Sequence, residues 1–153
     1  IVKKDKNTIP EIVAVINEFK QGHDIPNSKI VIDSDGVGGG VVDAFSGSVG
    51  FLNGGKALKS ENYQNLKTQC YFKLAELVNN GGIYIKESRY KESILSELEV
   101  IKRDKIDKDT QKIAIESKEV IKQKLGRSPD YADALMMRMW YECFGGYGEY
   151  AII

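Results

Sequence analysis

One histidine, two cysteines and three prolines in 153 residues leave several chemistries without their parts. A Ser–His or Cys–His nucleophile depends on an imidazole base, and His23 is the only one on offer. It follows Gly22 after a helical stretch and reads as a helix-end residue rather than a ligand. Cys70 and Cys143 stand far apart and lack the paired spacing of a zinc site, so they read as buried free thiols in a reducing compartment. No apolar run approaches about 18 residues, so the sequence offers no membrane-spanning segment. No secretory leader is visible, and the chain opens at Ile1 directly into a strand-like IVKK, as expected of a piece of a longer protein. Charge of either sign is not in excess: 22 basic and 22 acidic residues cancel. Any attraction to nucleic acid must therefore come from a local patch.

What is present is an ordinary globular mix, 42% hydrophobic and 29% charged, long enough for one domain spanning 1–153 with an irregular tail over 145–153. After the strand-like residues 1–4, Thr8 and Glu11 have the spacing of a capping box, with Pro10 in the first turn. Ile12, Val13, Ile16 and Phe19 give that helix an apolar face. KIVID, residues 29–33, is a short continuous apolar run of the kind found in a strand buried on both faces. A glycine-rich SDGVGGG follows, then a short helix at VVDAF and a strand over 49–54. Leu66, Cys70, Leu74 and Leu77 predict a helix over 62–79, stopped by Asn79-Asn80-Gly81-Gly82. A helix from Tyr90 to Leu98, a hairpin around Lys108-Asp109 and a helix ending at Gly126 come next. Ser128 as cap and Pro129 as first residue open a last helix to about Phe144. Strands alternate with helices, so the class is α/β.

Two constellations can carry chemistry. Asp33 closes a strand, and ligands of open α/β sheets gather beyond the carboxyl ends of strands; Asp35 lies two residues on. Turn chemistry explains the same residues in a plainer way. The second is RSPDYADALMMRMWYE, residues 127–142, where Ala132, Leu135, Met136 and Met139, with Cys143 just beyond, form a core stripe. Asp133 sits on its border, with Asp130 one turn earlier. Acids in a first turn complement the helix dipole, which accounts for Asp130. Asp133 loses hydration beside the core, and a bound cation would compensate it. The Gly36–Gly40 loop offers an alternative, nucleotide binding at a helix start, but neither the dinucleotide fingerprint nor the P-loop is complete. Lys102, Arg103, Lys105 and Lys108, with Lys112, give the hairpin a positive edge able to follow a phosphate backbone. Against this, Asp104, Asp107 and Asp109 alternate with them as on any solvated face. Tyr147 and Tyr150 are candidates for stacking on bases.

IVIDSDGVGGGVVDAF, NLKTQCYFKLAELV and ESKEVIKQKLGRSPDYADAL, in that order, resemble the C-terminal nuclease domain of tailed-phage (or prophage) terminase large subunits from about residue 8 to residue 142. GRSPDYADAL is the most specific piece. The resemblance implies a ribonuclease H-like mixed central sheet flanked by helices. It implies an endonuclease (a hydrolase) that cuts concatemeric viral DNA during packaging in the host cytoplasm, with the portal protein and terminase small subunit as partners. It implies a two-metal site for Mg²⁺ or Mn²⁺, with Asp33 and Asp133 catalytic and Asp130 beside them. Asp35 is the reserve for Asp33. The family's first aspartate and its strand have no counterpart here and are expected before residue 1, Asp5 being a poor substitute. The isolated chain is accordingly expected to be a partial domain, inactive where that aspartate is required, with an exposed sheet edge able to pair with another molecule. The alternative on the same fold is a non-catalytic DNA-binding or assembly module.

Overall fold

In a computed structural model, the residues described are 8–36, 38–85, 89–104 and 112–145. The expected strand at 1–4, Asp5, Lys105, Asp107, Lys108, Asp109, Tyr147 and Tyr150 lie outside them. The chain forms two compact units, divided between Asn53 and Gly54.

The first unit is built on one strand–helix–strand crossover. Helix α1 (Ile9–Gly22) opens as its sequence predicts: the Glu11 carboxylate accepts from the Thr8 N–H at 2.8 Å and the Thr8 hydroxyl at 3.1 Å. It closes at His23, whose N–H donates to the Phe19 carbonyl and whose ring stacks on Phe19. Strand β1 (Val31–Asp33), helix α2 (Gly38–Asp43) and strand β2 (Val49–Phe51) follow, and the two strands pair in parallel, Asp33 opposite Phe51. A parallel pair needs a crossover, here the segment that carries α2. Val41, Phe45 and Phe51 are buried. β1 is shallower than its apolar run suggests: Val31 and Ile32 are half-buried and Asp33 is exposed. Among the described residues β2 is its only sheet neighbour.

The second unit is helical, with paired extended segments beside the helices. Helix α3 (Leu66–Asn79) starts four residues later than its periodicity suggests. Asn65 is the reason: its side chain accepts from the Thr68 N–H at 2.8 Å. The residues before it stay extended and pair with Ile113, Gln64 donating to its carbonyl and Ile113 donating to Asn62. Among the described residues the hairpin arms pair antiparallel at Arg103 and Ile115. Helices α4 (Lys91–Val100) and α5 (Lys118–Leu125) agree with the sequence pattern, and α5 ends on Gly126 at a φ of 74°. The last helix is split at Met139 into α6 (Asp130–Arg138) and α7 (Trp140–Phe144). α6 packs on α3 and α4, and α7 on α3. Leu66, Cys70, Leu74, Ile121, Ala132, Met136, Met139 and Cys143 are among its buried residues. No helix among the described residues is long and apolar enough to cross a membrane.

Candidate metal centre

Parallel pairing brings the carboxyl ends of β1 and β2 side by side, and three polar side chains meet there. Asp33 Oδ1 accepts the Asp35 N–H at 3.0 Å, a turn closed by a side chain. The Asn53 amide donates to Asp35 Oδ2 at 2.7 Å and to Asp33 Oδ1 at 3.3 Å. The Asn53 N–H reaches Asp35 Oδ2 at 3.3 Å. Two carboxylates thus share one amide donor. Both are exposed, so they keep water access. Ser34 fastens the strand ends together, its N–H and hydroxyl both donating to the Phe51 carbonyl. Asn53 escaped the sequence reading. The signal for it was there: it lies just past a strand parallel to the one ending in Asp33, where strand-end ligands collect.

The glycine run behind these carboxylates has a steric explanation. Gly36 adopts a φ of 71°, the left-handed region. A Cβ on Gly38 would stand 1.6 Å from the Asp33 carbonyl oxygen, so α2 can start this close to β1 only with glycine there. A Cβ on Gly40 would meet Ile9 of α1 at 2.6 Å. Backbone conformation accounts for Gly36, and close packing for Gly38 and Gly40.

In the second unit, α6 carries Asp130, exposed, and Asp133, half-buried. Asp133 Oδ1 accepts the Tyr71 hydroxyl at 2.5 Å and the Lys67 ammonium at 2.8 Å. Burial, together with the adjacent Asp133 carboxylate, pushes the Tyr71 phenol far above its ordinary range. The sequence showed that a carboxylate bordering the core needs compensation. The structure supplies it from two side chains of α3, Lys67 and Tyr71, one turn apart.

Ser128 is not the cap of α6. Pro129 occupies the cap position, and the acceptor comes from Glu97 of α4. Glu97 Oε2 accepts from the N–H groups of Tyr131 at 2.7 Å and Ala132 at 2.8 Å, and Oε1 pairs with Arg127.

Lys102 and Arg103 border an apolar cleft of about 380 Å³ between α3, the end of α4 and the hairpin. Cys70 and Cys143 are free and buried, as read from sequence, and packing of α7 on α3 makes them neighbours. Their mutual hydrogen bond pushes the Cys70 thiol up and draws that of Cys143 down.

Among the described residues, no group of three His, Cys, Asp or Glu side chains is gathered as a ready metal cluster. The donors at Asp33, Asp35 and Asp133 are nevertheless hard oxygens, the type that Mg²⁺ and Mn²⁺ take.

The architecture is that of the nuclease domain of a phage large terminase subunit. Structural neighbours include two forms of that domain from bacterial virus Sf6, gp2. One is a lysine-to-alanine mutant solved with manganese, at a TM-score of 0.62 and 24% identity, covering 86% of this chain and 71% of the other. The second is the same mutant with calcium, at 0.60 and 24%, covering 86% and 70%. At this identity the likeness is one of fold. No protein-family model and no curated protein matches the chain.

Proposed function

We propose that this chain is a ribonuclease H-like nuclease domain that cuts double-stranded viral DNA during genome packaging, using divalent metal ions. The observation that carries the reading is the meeting of Asp33 and Asp35 at the carboxyl ends of two parallel strands, in a fold shared with a terminase nuclease domain. Asp33, with Asp35 beside it in the first unit, and Asp133, with Asp130 one turn earlier in the second, are the proposed ligands. Bound there, Mg²⁺ or Mn²⁺ would activate a water and stabilise the leaving oxygen of a phosphodiester. The protein's own part is to hold the carboxylates in place. Ser34 and Asn53 fix the strand-end pair, and Lys67 and Tyr71 orient Asp133. Lys102 and Arg103, with Lys105 and Lys108, are the proposed contacts to the DNA backbone. The portal protein and the terminase small subunit are the proposed partners in a host-cell assembly.

A second reading, a DNA-binding or assembly module without catalysis, is favoured by one observation. Asp133 is already neutralised by Lys67, so the fold does not need a cation at that position.

Calorimetric titration with Mn²⁺ separates the two. The nuclease reading expects binding by the wild-type chain that weakens at least tenfold in Asp33→Asn and in Asp133→Asn, with circular dichroism unchanged. Mn²⁺ binding that ignores both substitutions would leave the non-catalytic module as the reading.

A further inference from the structure

The chain entering α6 has no local cap. Pro129 stands at the cap position and offers no side-chain acceptor. The N–H groups of Tyr131 and Ala132 are met instead by Glu97, a fully buried side chain reaching across from α4. A serine or aspartate at the cap would satisfy such groups without drawing a charge out of water. A buried carboxylate is an expensive substitute, and its pairing with Arg127 only partly offsets the desolvation. What the arrangement adds over a local cap is a fixed point. α4, the turn before α6 and the first turn of α6 are all tied to one carboxylate. That turn is the one bearing Asp130 and Asp133, and Asp133 must arrive at Tyr71 and Lys67 within hydrogen-bond reach.

We infer that Glu97 is a positioning residue for the carboxylates of α6. Through two backbone N–H groups it sets the depth and rotation of that helix, and so the place at which Asp130 and Asp133 present their oxygens to a divalent cation. The inference rests on the reading of Asp133 as a metal ligand. It treats the Glu97–Arg127 pair as part of the binding machinery, although neither side chain touches the ion.

The test is Mn²⁺ titration of the whole chain as wild type, Glu97→Gln, Asp133→Asn and a stability control, Ile121→Val, in the buried face of α5. Glutamine offers the α6 N–H groups a neutral and weaker acceptor and turns an amide NH2 toward Arg127, so its hold on the helix loosens. The expected result is Mn²⁺ affinity lowered about tenfold in Glu97→Gln, the scale seen when groups behind metal ligands are changed. The control, compared at matched loss of melting temperature, binds as wild type does. If Glu97→Gln does not fold, Glu97→Asp replaces it with the same expectation, since the shorter side chain keeps the charge but draws the carboxylate back from the Tyr131 and Ala132 N–H groups. Wild-type affinity in the folded variant, alongside lost binding in Asp133→Asn, overturns the positioning role and leaves the metal reading intact. Binding that ignores Asp133→Asn overturns the metal reading and this inference together.

Discussion

The Asp133 carboxylate receives a phenol and an ammonium on one oxygen, and each donor has a measurable consequence. Tyr71→Phe removes a hydrogen bond to a charged acceptor that is itself largely sheltered, and is expected to destabilise the chain by about 1–2 kcal/mol at neutral pH. The same group links stability to alkaline pH. The folded phenol resists ionisation, while the unfolded one ionises at its ordinary value of 10.0. Its contribution is therefore complete below pH 10 and is lost as pH rises beyond that value. Urea unfolding of wild type and Tyr71→Phe between pH 8 and 11 should show the difference in stability narrowing above pH 10. A constant difference across that range would mean that the Tyr71 hydroxyl ionises as freely in the folded chain as in the unfolded one.

At the scale of elements, starts and caps separate what was legible from what was not. Thr8-Ile-Pro-Glu11 and Gly126 are local signals, acting within one turn, and the helix start and stop they predict are the ones observed. Asn65 is a local signal too, but the apolar spacing of the residues around it hid the cap. Truncating it to alanine should cost about 1 kcal/mol of unfolding free energy, since its oxygen serves one of the orphan N–H groups of α3. Thermal unfolding of Asn65→Ala checks this, and an unchanged midpoint would deny the cap any energetic role. The start of α6 could not be read from its own sequence. Ser128-Pro129 has the pattern of a cap and first residue, yet the acceptor is Glu97, about thirty residues earlier and on another helix. Asn53 was hidden for a related reason: its meeting with Asp33 and Asp35 depends on parallel strand register, which residue spacing along the chain does not encode. Asp33 was legible because a strand-end acid announces itself locally. The depth of its strand was not, because burial depends on neighbours.

For the molecule as a whole, zero net charge means that the proposed DNA binding would be carried by placement rather than by total charge. Lys102 and Arg103 stand at the rim of the cleft between α3 and the hairpin. If each lies on a phosphate, replacing both by alanine should lower the salt dependence of DNA affinity by about two units of logarithmic slope, uniformly across sequences. Filter binding or fluorescence anisotropy over a range of salt concentrations measures that slope. A slope unchanged by the double substitution would assign DNA binding to another surface.

The three consecutive glycines that begin α2 look interchangeable in the sequence, but they would behave differently under random mutagenesis. Position 38 has no space for a single carbon beside the Asp33 carbonyl, whereas the same carbon at position 39 meets nothing within 4 Å. A saturation library selected for folding should therefore keep glycine at 38 and accept many residues at 39. Alanine at 39 should be a mild gain, since it restricts the unfolded chain and favours the helix by roughly 0.4–1 kcal/mol. Position 40 should tolerate small residues to the extent that Ile9 can turn aside. Sequences diverging from this one would then retain one glycine of the three, the one whose missing side chain leaves room for the strand that ends in Asp33.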